Sequence, residues 1–136
     1  MKAAALQMVS TPRVDENLAQ AQALIEQAAA QGAELVALPE YFCLMGHRDA
    51  DKLAIAEPLA DATAPDAQTC PMQAMLAQAA KQHGVWLIGG TLPILSHEAQ
   101  RVFNTTLVFN PQGIRVARYD KIHLFCFDDG DKAYNE

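Results

Sequence analysis

Two charged side chains interrupt apolar stretches that otherwise read as buried strands. Glu40 closes Leu35-Val36-Ala37-Leu38-Pro39-Glu40-Tyr41-Phe42, and Lys121 opens Lys121-Ile122-His123-Leu124-Phe125. A carboxylate can take a proton from a nucleophile and return it to a leaving group, and a fixed ammonium can hold the charge that develops on a carbonyl oxygen. At the mouths of neighbouring strands the two would form the proton-handling and charge-stabilising parts of one catalytic site. Glu40 follows a proline that stops its strand and leads the chain out at the carboxyl end of a sheet, where open α/β sheets place their ligands. Partial burial there would make it a usable acid or base near neutrality. Structural ion pairs and lysines that snorkel from strand ends use the same residue types, so spacing alone leaves both readings open.

Other reactive groups compete for attention. Cys43 lies three residues past Glu40, and its thiol would become a nucleophile if the carboxylate or Lys121 stabilised the thiolate. Free cysteine is more often a small buried apolar residue. Cys126 reads as loop wall near Lys121, and Cys70 precedes a helix with no base beside it. Cys43, His47, Asp49 and Asp51 form one loose cluster, and His123, Cys126, Asp128 and Asp129 another. Neither has the paired spacing of a closed zinc site, and the acidic turn Asp128-Asp129-Gly130-Asp131 is out of register for a calcium loop. Gly89-Gly90-Thr91 lacks the rest of any phosphate-binding fingerprint and reads as a tight strand exit. His83 complements a helix end, and His97 lies in a polar loop. No metal and no cofactor is implied.

The elements that must position these groups are legible from periodicity and punctuation. Lys2 to Val9 reads as a first strand. Asp15 is placed to cap a helix whose inner side carries Leu18, Ala21, Ile25 and Ala28, widened by Leu24, and Gly32 ends it. A strand from Ala33 to Leu38 follows. A second helix begins at Pro71, with Met72, Met75, Leu76, Ala79 and Ala80 inward, and stops at Gly84 before the strand Val85 to Ile88. These two helix–glycine–strand units predict alternating α and β elements feeding one sheet. Val102 to Phe109 and Ile114 to Tyr119 flank Asn110-Pro111-Gln112-Gly113, an antiparallel hairpin with turn chemistry between its strands. Tyr41 to Thr69 reads as a surface excursion with a short helix around Asp49 to Glu57.

With 136 residues the chain holds one domain, and 51% apolar against 19% charged residues is globular composition. Alanine supplies much of the apolar share, so a thin core is expected. Ten basic residues, scattered, against sixteen acidic ones argue against a nucleic-acid groove. No run is long enough to span a bilayer, and no leader pattern precedes the first strand. Three cysteines without a CxxC pair fit a reducing compartment, and the cytoplasm is the expected location.

Pro39-Glu40-Tyr41-Phe42 and Tyr119-Asp120-Lys121-Ile122-His123-Leu124-Phe125 resemble the glutamate and lysine motifs of the nitrilase superfamily, the carbon–nitrogen hydrolases. Similarity also runs through the Asn17-Leu18 helix start, Gly32 to Phe42, Gly84 to Thr91 and Asn104-Thr105, and looks closest to the branch of omega-amidases and deaminated-glutathione amidases. The resemblance implies an α/β fold, part of an α-β-β-α sandwich that forms homodimers or higher homo-oligomers by stacking sheets. It implies hydrolysis of a small linear amide through a cysteine thioester, with Glu40 as base and acid and Lys121 stabilising the oxyanion. Tyr41 and Phe42 would contact substrate, and Glu136 falls near a further acidic position of the branch. No cysteine here matches the family's nucleophile, which lies several tens of residues beyond the lysine. Residues 1–136 are therefore expected to be the N-terminal portion of a larger domain, inactive alone and partnered by the missing C-terminal half. A non-catalytic binding module that keeps the fold, and a complete thiol hydrolase using Cys43, are the alternatives.

Overall fold

Proline and glycine mark the places where the backbone must change direction, and the elements lie between them. The computed structural model describes residues 1–48, 50–123, 125–128 and 133–135. Its order is β1 (Ala3–Ala5), α1 (Val14–Ala30), β2 (Leu35–Ala37), α2 (Ala50–Ala54), α3 (Pro71–His83), β3 (Trp86–Ile88), β4 (Leu92–Leu95), β5 (Val102–Phe109), β6 (Arg115–Asp120), β7 (Cys126–Asp128) and β8 (Ala133–Asn135). Pro71 sits in the first turn of α3, where its missing N–H costs nothing, and Gly84 closes the helix with a left-handed φ of 64°. The start of α1 differs from expectation: Arg13, not Asp15, occupies the cap position. Asp15 and Glu16 lie in the first turn instead, where their charge faces the positive helix end. The buried amide of Asn17 fixes the entry by bonding Thr11 and the carbonyl of Cys43.

β1, β2 and β3 pair in parallel, and β3 and β4 both pair antiparallel with β5. Val108 faces both Ile88 and Ala117, so β6 must take the opposite edge of β5 from β3. β4 was not foreseen, because Pro93 sits in its middle and reads as a strand breaker. The first strand is also shorter than Lys2 to Val9. Both helices cover one face: Val36, Leu87, Leu107 and Phe109 share a core with Ala21, Ile25 and Ala28 of α1 and Met72, Leu76 and Ala80 of α3. Strand alternation puts Leu35, Ala37, Trp86 and Ile88 on the other face, opposite α1 and α3, and Trp86 remains 40% exposed. No helix among the described residues is long and apolar enough to cross a membrane.

Two packing details hold the excursion and the strand exits in place. Glu57 pairs with the outer edge of β4, its N–H donating to Pro93 O and its carbonyl accepting from Leu95 N–H. Its buried carboxylate accepts from the N–H groups of Met72 and Gln73, at 2.6 and 3.2 Å, and from Gln73 Nε2 at 2.9 Å. α3 is thus capped by a residue fourteen positions before it, a partner that local pattern does not reveal. Burial raises the Glu57 carboxyl above the usual range, while the Gln73 and Met72 donors pull it back. Gly90, with φ 56°, lies so close to the preceding turn that a β-carbon would stand 2.1 Å from the Pro39 carbonyl oxygen.

Gly90→Ala therefore loses about 3 kcal/mol or more in urea unfolding, from clash and backbone strain together. Gly84→Ala, with nothing within 4 Å of the new methyl group, loses only about 1 kcal/mol. A second measurement concerns Glu57. A carboxyl held above its unfolded value binds its proton more tightly in the fold, so its contribution to stability falls as pH rises through the usual carboxylate range toward that higher value. The stability advantage of wild type over Glu57→Gln shrinks as pH rises from about 4 upward in parallel urea titrations.

Candidate active site

Glu40 and Lys121 come from strands that are not neighbours, contrary to expectation: β3 and β5 lie between β2 and β6. They meet because of strand direction. β2 runs with β3, β3 against β5 and β5 against β6, so the chain leaves β2 and β6 at the same end of the sheet. There Lys121 Nζ lies 3.0 Å from Glu40 Oε1. The lysine side chain is 24% exposed and the glutamate 52%, so Glu40 is held by its partners rather than by burial.

One of those partners escaped the motif reading. Asn104, near the start of β5, donates from Nδ2 to Glu40 Oε1 at 2.9 Å, and its carbonyl accepts from Lys121 N–H at 2.9 Å. The Asn104-Thr105 pair stood out only as part of a family resemblance, and nothing in its local pattern announces a long-range contact. Thr105 and Arg118 bind Asp120 Oδ1 in turn, which fixes the residue before Lys121.

A cleft of about 430 Å³ opens beside the pair, lined by Glu40, Tyr41, Leu44, Met45, Gly46, His47, Arg48, Lys52, Lys121 and Phe125. Tyr41 forms part of its wall, with Lys52 Nζ 4.2 Å from the ring centroid. Phe42, expected beside a substrate, lies elsewhere: it is fully buried in the core and is no part of the cleft wall. Asp51 braces the loop by accepting from the N–H groups of His47 and Arg48. Glu136, Asp49 and Asp129 lie outside the described residues. Among the described residues no three His, Cys, Asp or Glu side chains converge on a point where a metal would sit.

Cys43 does not fit a nucleophile's role. It is fully buried, and burial pushes its thiol up to about 12, with the Glu57 carboxylate adding to the rise and local backbone N–H groups opposing it. A thiol so raised stays protonated at neutral pH, which removes the reading of a complete thiol hydrolase built on this residue. Cys70 is buried as well, and its thiol is likewise raised, chiefly by burial.

Residues 2–136 match the family model described as carbon-nitrogen hydrolase. The chain belongs to that family. It is 41% identical over 124 residues to the deaminated glutathione amidase of Synechocystis sp., covering 90% of this chain and 42% of that protein. It is 34% identical over 130 residues to an omega-amidase of Xenopus laevis, covering 93% of this chain and 42% of the relative. The chain thus spans less than half the length of these relatives. Among solved structures, the Nit3 protein of Saccharomyces cerevisiae, a member of branch 10 of the nitrilase superfamily, superposes with a TM-score of 0.69 at 27% identity, over 85% of this chain and 41% of that one. The mixed sheet with helices on one face is the α/β arrangement of that superfamily's sandwich.

Thiol alkylation followed by mass spectrometry checks the cysteines: in native protein at about pH 8, Cys43 reacts more than about 100-fold slower than free cysteine and reaches the free rate in denaturant. Native labelling at the free rate would contradict its burial.

Proposed function

We propose that this sequence is the N-terminal part of an amidase that hydrolyses a small linear amide to an acid and ammonia. The observation that carries the reading is the 3.0 Å approach of Lys121 Nζ to Glu40 Oε1 at the edge of the cleft. In this proposal Glu40 takes the proton of a cysteine thiol supplied by residues outside 1–136. The thiolate attacks the amide carbon, and Lys121 holds the oxyanion of the tetrahedral intermediate. Glu40 returns the proton to the leaving nitrogen as the C–N bond breaks, giving ammonia and a thioester. Water, deprotonated by Glu40, then attacks the thioester, and the acid leaves as the thiol is restored.

The same cleft supports a narrower substrate class. Among the described residues its wall carries the side chains of Lys121, Lys52 and Arg48 beside the carboxylate of Glu40. Lysine and arginine side chains in a concave site suit a ligand with an anionic group, relatives of this chain include an omega-amidase, and we propose the terminal amide of a dicarboxylate, with Tyr41 beside it. The sheet face at Leu35, Ala37, Trp86 and Ile88, opposite α1 and α3, suits a second layer, supplied in this proposal by the rest of the domain, with homodimers or higher homo-oligomers formed from complete domains. Such a protein works in the cytoplasm and needs no cofactor.

Ammonia release by the full-length protein tests the proposal. Glu40→Gln lowers kcat by about a thousandfold and Lys121→Ala by a hundredfold or more. The monoamide of a short dicarboxylic acid is preferred over a neutral amide of equal length, and the 136-residue chain alone releases no ammonia. Turnover by that chain, or full activity in Glu40→Gln, would sink the reading; a folded full-length protein inactive on every short amide would leave a binding module with this fold.

A further inference from the structure

The turn that carries Glu40 is held in a conformation that its own residues resist. Tyr41 has φ 49°, in the left-handed region that a bulky side chain rarely adopts. Two contacts from the Gly89-Gly90-Thr91 exit of the adjacent strand β3 keep it there. Tyr41 N–H donates to Thr91 Oγ1 at 2.8 Å, and Gly90 packs its bare α-carbon against the Pro39 carbonyl, where no larger residue fits. Asn104 then sets the other end of the side chain, donating to Oε1 at 2.9 Å while its carbonyl receives the Lys121 N–H. Asn104 Nδ2 and Lys121 Nζ both bond to the same oxygen, Oε1. Among the described residues these two bonds leave Oε2 as the oxygen outside them.

We infer that Thr91 and Asn104 are positioning residues for Glu40, fixing the strained turn from one side and the carboxylate from the other so that Oε2 handles the proton. The inference rests on the proposed amidase reading. In it, Oε2 takes the thiol proton as the S–C bond forms and gives it to the leaving nitrogen as the C–N bond breaks. Neither Thr91 nor Asn104 touches the reacting atoms. Their effect is geometric, and displacements of about 1 Å at a catalytic group cost on the order of a hundredfold in rate.

The test uses the full-length protein. Thr91→Val removes the hydroxyl at nearly constant shape, and Thr91→Ser keeps it. Expected is a fall in kcat of about 10- to 100-fold for the valine variant with KM changed by less than about twofold, and recovery to within about threefold of wild type for the serine variant. Asn104→Asp keeps the size of the side chain, loses the donor and sets a second carboxylate beside Glu40. It moves the acidic limb of the kcat/KM profile to higher pH, because adjacent carboxylates resist joint ionisation. Equal kcat for the two Thr91 variants, or an unmoved acidic limb in Asn104→Asp, overturns the inference. Should Thr91→Val fail to fold, the pH profile of Asn104→Asp decides alone. Glu40→Gln separates the two levels: if it leaves hydrolysis intact the amidase reading itself falls, and if it abolishes hydrolysis while the Thr91 variants match, only the positioning inference does.

Discussion

A single carboxylate oxygen gathers stretches of chain that are 64 and 81 residues apart in sequence. Glu40 Oε1 receives both the Asn104 amide and the Lys121 ammonium, and that convergence requires β2 and β6 to end, and β5 to begin, at the same end of the sheet. Two antiparallel reversals between β3 and β6 deliver it. With Glu40 half exposed, an ion pair of this kind contributes little to stability, typically below about 1 kcal/mol. Its importance is geometric: the sheet supplies a rigid frame, and the charges are brought together by the frame rather than building it.

The excursion between β2 and α3 completes the cleft. Leu44 to Arg48 form much of its wall, with Asp51 tying down the backbone of His47 and Arg48 and Lys52 lying over the Tyr41 ring. Behind that wall Phe42 and Cys43 are buried in the core. Of the residues that follow Glu40, Tyr41 faces the cleft, Phe42 and Cys43 anchor the turn in the core, and the chain returns to the cleft from Leu44 onward.

Local chemistry made much of this readable before any coordinates. Pro71 and Gly84 bound α3 where expected, the five inward residues named for it are all buried, and the Asn110 to Gly113 turn joins β5 to β6. What stayed hidden is non-local. Nothing near Asn104 in sequence reveals the carboxylate it meets, Glu57 caps a helix from the far side of a loop, and the insertion of β3 and β5 between β2 and β6 follows from pairing that no periodicity encodes. The misplaced cap at Asp15 has a different origin. A carboxylate suits the cap and the first turn alike, and the Asn17 tie to Thr11 and Cys43 shifts the start of α1 by two residues.

Glu57 also settles the fate of an exposed border. Its main chain closes the outer side of β4 between Pro93 and Leu95 while its side chain locks α3, so the excursion serves as a hem that keeps this margin of the sheet from pairing with another molecule. The segment thereby divides into two parts under different structural constraints. Side chains near His47 and Arg48 border the cleft, whereas a change at Glu57 would unpick a helix start and a sheet margin together, coupling solubility to fold at one acidic residue.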